Sequence, residues 1–304
     1  MFKSVNRNLL MSTALIGFMA TPALSGDIVA PADDSLLFSA LLGISAGVQD
    51  VSEGKGSPTP AAGTELTIAG HGHVSIPLGE AFSAQLDGQG ELYDRAAQGE
   101  DAGQGAYMLG GHLSLRDPGM GLIGIFAGAG MGQNDDGSDD GQGIGYIAGV
   151  EGQFYLDQFT FYAQGGWADI VVDDHPDEGF VDGWFVRGVA RYFFSEDFLL
   201  QAEVSYGETS EYVDGDSKGE IWNWGALAKM RLSESMPIYG TLEYRGGNYE
   251  ETEDFAESVE EHAFLIGLDF AFGANNLWEN DRRGATLDTP MLPARAAAWT
   301  EAVD

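Results

Sequence analysis

Charged residues of both signs recur two or four positions apart along much of the sequence. Arg187 and Arg191 form one such pair, and Glu243 and Arg245 form another. Residues two apart in an extended strand point to the same face, so these charges would line one surface. Inside a pore, such a surface would orient and select ions and small polar solutes. The predicted pore-lining residues are Asp87, Glu91, Glu151, Arg187, Arg191, Glu203, Lys229, Arg231, Glu243, Arg245 and Asp269.

The same charges support a second interpretation. Their signs nearly alternate between neighbouring segments from Arg187 to Asp269, so cross-strand pairs would satisfy each other in a polar interior. A closed ladder of ion pairs would then stabilise a plugged barrel and select nothing. A β-barrel of about twelve strands would lie between small barrels that side chains fill and barrels of about sixteen strands that enclose an aqueous channel, which leaves both interpretations open.

Two further patterns could support chemistry of another kind. Gly43-Ile44-Ser45-Ala46-Gly47 matches the G-x-S-x-G nucleophile pattern, which requires a strand-to-helix turn. Because no helix-forming stretch follows, we expect Ser45 to be a lumen-facing hydroxyl and predict no catalytic residue. His71, His73 and His112 could meet as a three-histidine metal site. A polar lumen explains these histidines equally well, and we predict no metal ligand among them.

Three clusters of acidic residues lie between apolar stretches of the sequence. Clustered carboxylates can hold Ca²⁺ or Mg²⁺ through oxygen ligands, and such ions could bridge them to another anionic surface. The simpler interpretation is a solvated surface that repels self-association. We therefore expect no resident cofactor, with Ca²⁺ or Mg²⁺ on these loops as the alternative. The clusters are Asp135, Asp136, Asp139 and Asp140; Asp173, Asp174, Asp177 and Glu178; and Glu250, Glu251, Glu253, Asp254 and Glu257.

The composition narrows the class of protein. With 14 Lys and Arg against 48 Asp and Glu, the 304-residue chain has a formal charge of −34, which excludes nucleic-acid binding through a basic surface. The sequence contains no cysteine, so disulfides, thiol catalysis and cysteine-bound zinc are excluded. Its 44 glycines argue against a helical bundle, because glycine weakens helices.

Segments of roughly a dozen residues alternate between apolar and polar positions and predict β-strands. The links between them alternate between short and long, which places the long loops at one end of an up-and-down sheet, as in outer-membrane barrels. The predicted strands are 36–49, 64–78, 81–93, 106–115, 120–132, 143–155, 159–172, 180–193, 198–208, 220–232, 237–249 and 261–272.

Aromatic residues gather near both ends of these segments. A soluble β-sandwich would show the same alternation, but two aromatic belts fit two membrane interfaces. One set flanks the short links: Phe154, Tyr155, Phe159, Phe161, Tyr192, Phe193, Phe194 and Phe198. The other lies toward the long loops: Tyr146, Trp167, Trp184, Trp222 and Trp224.

The N-terminal residues have the pattern of a secretory signal. Lys3 and Arg7 precede an apolar stretch, and Ala23-Leu24-Ser25 provides a small-residue cleavage site. The apolar stretch is shorter than the roughly 20 residues that a spanning helix needs. We predict a signal peptide at 1–25 and a periplasmic lead-in at 26–35.

The segment Gly267-Leu268-Asp269-Phe270-Ala271-Phe272 resembles the last-strand signal of porin-like outer-membrane β-barrel proteins of Gram-negative bacteria. This resemblance implies that Gly267, Phe270 and Phe272 are read by the outer-membrane assembly machinery. It also implies contact with outer-membrane lipid and lipopolysaccharide. In most such proteins the final aromatic residue ends the chain, whereas here residues 273–304, the tail, follow.

The predicted fold is all-β: a transmembrane antiparallel up-and-down β-barrel of about 12 strands over 36–272. We expect the tail to be a disordered periplasmic extension, with a peptidoglycan or protein contact or a lumen plug as alternatives, and a helical stretch at 294–302. The expected function is passive diffusion of small hydrophilic solutes or ions, without catalysis, and an oligomer is an option. The alternatives are a plugged barrel that binds a partner through its acidic loops or tail and, third, a lipid hydrolase.

Overall fold

A computed structural model describes residues 38–53, 63–79, 81–94, 103–135, 140–172, 183–209, 219–251, 258–292 and 294–295. The predicted signal peptide, the lead-in at 26–35, tail residues 296–304 and most of the acidic loop residues lie outside these ranges. Among the described residues, no helix is long and apolar enough to cross a membrane.

Twelve strands in the described ranges form a closed antiparallel barrel, in which each strand pairs with its neighbours in the sequence and β12 pairs with β1. This confirms the predicted fold and excludes the β-sandwich alternative. The strands are β1 Ser39–Glu53, β2 Gly63–Pro77, β3 Phe82–Asp94, β4 Gly103–Asp117, β5 Gly121–Asp135, β6 Asp140–Leu156, β7 Phe159–Val172, β8 Gly183–Ser195, β9 Phe198–Glu208, β10 Gly219–Arg231, β11 Ile238–Glu251 and β12 Ser258–Phe272.

Alternating side chains separate an apolar outer face from a mostly polar inner face. Leu86 is 68% exposed and Ile266 is 70% exposed on the outside. On the inside of the same strands, Asp87 and Asp269 are buried. Burial of apolar side chains against water cannot drive this arrangement, because the apolar residues point outward. A surface of this kind is matched to lipid.

The links define two ends of the barrel, the short-turn end and the long-loop end. The chain runs from the short-turn end to the long-loop end along each odd-numbered strand and returns along the even-numbered strand that follows. The link predicted at 133–142 is shorter than expected, because β5 and β6 continue pairing as far as Asp135 and Asp140.

Outward-facing aromatic rings cluster at both ends. Phe194 and Phe198 stack with centroids 5.1 Å apart near the short turns, and Tyr206 and Trp222 lie 4.6 Å apart toward the long loops. Tyr155 and Phe193, predicted for the short-turn belt, are buried on the inner face. Their odd positions in β6 and β8 give them the inward orientation.

The tail begins with a short helix, α1 Leu277–Arg283, at the short-turn end. Asn276 caps it by accepting a hydrogen bond from Glu279 N at 2.7 Å. The Glu279 side chain accepts in return from Asn275 N at 2.8 Å. The helix begins at this cap, ahead of the stretch expected at 294–302. Ala294 and Arg295, the described residues of that stretch, are also helical, and Arg295 N donates to Met291 O at 2.9 Å.

Candidate functional site in the barrel lumen

All predicted pore-lining residues lie on the inner face of the barrel, and most form ion pairs there. Arg187 contacts Glu203 at 2.7 Å, and Lys229 pairs with Asp269. Arg245 pairs with Glu91 on the other side of the lumen and lies 3.6 Å from Glu243. Arg231 lies at the short-turn rim, where it contacts Asp197 at 2.9 Å.

His112 joins three strands at the polar centre of the lumen. Its Nε2 lies 2.6 Å from Asp87 and its Nδ1 lies 2.9 Å from Glu151. Tyr162 donates to the same glutamate at 2.7 Å. A buried carboxylate is stable only with such partners. Sequence reasoning placed His112 in the lumen but did not assign it this bridging position.

The described part of the tail runs inside the lumen. Asp281 contacts Arg191 at 2.9 Å, Asp288 contacts Arg187 at 2.7 Å, and Arg295 contacts Glu91 at 2.6 Å. The expectation of a periplasmic extension is therefore wrong as far as Arg295. A twelve-stranded barrel is too wide for its own side chains to fill, and the tail supplies partners for inward-facing charges.

Wall side chains bind the backbone of the tail as well as its side chains. Gln85 Nε2 donates to Leu287 O, and Gln85 Oε1 accepts from Leu287 N at 3.2 Å. His73 Nδ1 lies 2.9 Å from the same carbonyl. The peptide unit of Leu287 is thus satisfied in both directions by side chains of β2 and β3.

Thr289 is held in the same way two residues further on. Its N–H donates to Asp87 Oδ2 at 3.0 Å and its hydroxyl donates to Asp87 Oδ1 at 3.1 Å. Gln89 donates to its carbonyl. Other wall side chains donate to further tail carbonyls: Gln164 to Asp288 at 2.9 Å, Arg191 to Thr286 at 3.1 Å and Arg116 to Gly284 at 2.8 Å.

Apolar contacts hold the tail above and below this polar region. At the short-turn end, Leu277 packs with Phe193 and Tyr239. In the long-loop half, the tail inserts an apolar group into inward-facing residues of β1, β4 to β8, β10 and β11. That group consists of Met291, Leu292 and Ala294.

Glycines on the inner face of β4 and β5 allow the tail to approach the wall. A Cβ added to Gly110 would lie 1.7 Å from Thr289 Oγ1, and one added to Gly128 would lie 2.8 Å from Thr289 Cγ2. Side chains at these positions would occupy the space that the tail fills. The tail therefore lies against this part of the wall with no gap.

A cavity of about 240 Å³ remains on the opposite side of the tail. Its lining includes Lys229, Arg245, Glu203 and Glu243. The Glu203 and Glu243 side chains are 31% and 32% exposed. These two carboxylates therefore border open space inside the barrel.

The remaining candidate residues do not form a catalytic or metal arrangement where they are described. Ser45 lies within β1, paired with Gly267 and Ala69, so the strand-to-helix turn of a nucleophile elbow is not formed at this serine. His71 contacts Asp269 at 3.4 Å, away from the carboxylates that hold His112. Within the described ranges, no group of three or more metal-ligating side chains is arranged to hold an ion.

The predicted assembly signal lies at the seam that closes the barrel. Phe270 and Phe272 have outward positions on β12, next to β1. A Cβ at Gly267, which points inward, would lie 2.7 Å from Ser45 Cβ. Recognition of these residues by the assembly machinery stays a prediction.

A closed sheet with an apolar outer face and a charged inner face satisfies the requirements of a lipid bilayer, because it leaves no unpaired strand edge. The chain is a β-barrel of the outer-membrane type. Barrels of this kind span the bacterial outer membrane, which places this protein there.

No protein-family model and no curated protein match the sequence. Among solved structures, the barrel is similar to the translocator domain of the autotransporter NalP from Neisseria meningitidis, with a TM-score of 0.47, 11% identity, and coverage of 88% of this chain and 96% of that chain. An outer-membrane channel from Pseudomonas putida F1 has a TM-score of 0.47 and 9% identity, over 82% of this chain and 100% of that chain. The KdgM porin in complex with disordered oligogalacturonate has a TM-score of 0.42 and 9% identity, over 76% and 99%.

Proposed function

We propose that the protein is an outer-membrane channel through which small hydrophilic solutes or ions diffuse passively and without catalysis. The passage is the water-accessible side of the lumen, beside the tail. The observation that carries this proposal is the partial exposure of Glu203 and Glu243 on the inner face of a closed barrel. A cavity of about 240 Å³ holds several water molecules.

The charges along this passage favour the movement of ions through it over tight binding of ions. Glu203 is compensated by Arg187, and Glu243 lies beside Arg245. A passing ion therefore meets side chains that already have a partner and binds them weakly. Conduction requires binding that is favourable enough for entry and weak enough for exit. The overall charge of −34 would concentrate cations at the mouth at low ionic strength.

A second candidate, a closed barrel that binds a partner, is favoured by a different observation. The apolar contacts of Met291, Leu292 and Ala294 cross the long-loop half of the lumen. If the tail never leaves, these contacts would block flow, and the acidic loops or the tail would carry the function.

Single-channel recording in a planar bilayer distinguishes the two. We expect the full chain to give small, cation-selective current steps at low salt. The double variant Glu203→Gln, Glu243→Gln should lower the cation-to-anion permeability ratio, because the two most exposed carboxylates of the passage are removed. Glu260→Gln is the matched control, since this exposed carboxylate lies outside the passage.

A barrel that is folded and inserted but gives no current, even when the tail has been loosened, would reject the channel and favour the closed barrel. Gly110→Ala supplies that loosened form, because its added Cβ would overlap Thr289 of the docked tail.

A further inference from the structure

We infer that the lumen wall is a binding site for an extended oligopeptide and that the tail occupies this site as an intramolecular ligand. The inference deepens the proposed channel function and rests on it for the route by which a peptide reaches the site. The observation behind this inference is that many side chains of the lumen wall bind the backbone of the tail and not its side chains.

The spacing of the wall residues matches that of an extended chain. Gln85, Asp87 and Gln89 are two apart on the inner face of β3, and they bind the peptide groups of Leu287 and Thr289, also two apart. In an extended chain, alternate residues direct their N–H and C=O groups to the same side. Side chains of β3 therefore take the place that a neighbouring strand would have.

The opposite side of the segment is bound by another part of the wall. Gln164 on β7 donates to Asp288 O at 2.9 Å, so the carbonyl between Leu287 and Thr289 points away from β3. Extended backbone is thus held from two sides. Backbone groups are common to all peptides, which makes this mode of binding independent of most of the tail sequence.

Two positions of the segment would add selectivity. Asp288 contacts Arg187 at 2.7 Å, which favours a carboxylate there. The next residue lies against Gly110 and Gly128, where only a small side chain fits. The expected ligand is an extended peptide with an acidic residue followed by a small one.

Displacement of the tail in the full-length protein tests this inference. Because the chain contains no cysteine, Ala285→Cys introduces a single thiol. Ala285 borders the cavity but is only 3% exposed in the docked tail. Alkylation by a reagent too large for the cavity, such as a polyethylene-glycol maleimide, should therefore be slow until the tail leaves. Ser235→Cys, at an exposed short link, is the matched control whose alkylation rate should not change.

The first probe is a synthetic peptide with the sequence of residues 284–292. A second peptide of the same length has an acidic and a small residue at the positions of Asp288 and Thr289 and differs from the tail at the other positions. We expect both to accelerate alkylation at Ala285→Cys, at concentrations within about tenfold of each other, because the backbone provides most of the contacts. A neutral hexasaccharide should not accelerate it.

N-methylation tests the backbone contacts directly. Methyl groups on the amides of the Leu287 and Thr289 positions remove the donors to Gln85 and Asp87. We expect the methylated peptide to require a concentration at least about tenfold higher than the unmethylated peptide to produce the same alkylation rate. Methylation at the Thr286 and Asp288 positions, where the wall binds carbonyls, is the matched control.

The inference is overturned if no peptide accelerates alkylation, if the hexasaccharide is equally effective, or if methylation at the two positions changes nothing. Because alkylation does not depend on current, a barrel that exchanges its tail for peptide and yet never conducts would refute the channel function and keep the peptide site.

Discussion

Gly110 offers the cleanest way to loosen the tail without removing a charge. A Cβ at this position would lie 1.7 Å from Thr289 Oγ1, whereas ordinary contacts begin near 3.4 Å. Turning the hydroxyl aside does not relieve the contact, because Thr289 Cβ would itself lie 2.7 Å from the added atom. Gly110→Ala therefore pushes Thr289 away from β4 by about 0.7 Å, the difference between 2.7 Å and an ordinary contact. The hydrogen bonds from Thr289 to Asp87, at 3.0 and 3.1 Å, cannot survive this shift.

The size of the effect follows from those two bonds. A hydrogen bond to a charged group contributes about 1.5–3 kcal/mol, so losing both weakens tail docking by about 3–6 kcal/mol. Since 1.4 kcal/mol corresponds to a factor of ten, the undocked population should rise roughly 10²- to 10⁴-fold. Alkylation of Ala285→Cys should accelerate by a similar factor where undocking is fast and reversible.

The control is Gly111→Ala, one residue along on the outer face, where the new Cβ would meet Leu86 Cδ2 at an ordinary 3.5 Å. Heat-modifiable migration on gels verifies that both variants form the barrel. If Gly110→Ala folds and the thiol of its Ala285→Cys reporter reacts no faster than in the Gly111→Ala background, the close approach of tail and wall is not what holds the tail.

Three further predictions address the tail and the passage. Asp288→Asn leaves Arg187 with a weaker partner and should speed alkylation of the Ala285→Cys reporter by about ten- to a hundredfold, as expected for loss of one charge-assisted bond; an unchanged rate would show that this ion pair does not hold the tail. Leu292→Ala removes a side chain buried in the apolar contacts of the tail and should raise the undocked fraction, since such a truncation costs about 2–5 kcal/mol; alkylation at the parent rate would show that these contacts do not hold the tail. Glu243→Gln alone should shift the reversal potential under a salt gradient toward anions, and this shift should become smaller as ionic strength rises; a reversal potential insensitive to this residue would place the ion path elsewhere.

The strands could be predicted because each carries its own alternating pattern. Phe264, Ile266 and Leu268 alternate with Leu265, Gly267 and Asp269, and the structure gives the two sets opposite faces of β12. The same parity placed Arg187 and Glu203 in the lumen. Aromatic type alone assigns Tyr155 and Phe193 to the short-turn belt, whereas their positions in the alternation give them the inner face.

The position of the tail could not be predicted from local sequence. Thr289 and its partner Asp87 are separated by 202 positions, and no periodic pattern connects them. The sequence does contain two signals: an N-cap at Asn276 with Glu279 three residues later, and inward-facing Gln85, Asp87 and Gln89 on β3. Amides and a carboxylate at successive inward positions need partners, and those partners lie in the tail.

Single-channel conductance of the full chain, compared with its Gly110→Ala variant in the same bilayer, tests the central claim most directly. We expect small, cation-selective current steps for the full chain at low salt and larger current steps, or a higher open fraction, for the variant with the loosened tail. The absence of current from both proteins, with each barrel shown to be folded and inserted, would contradict the proposed channel.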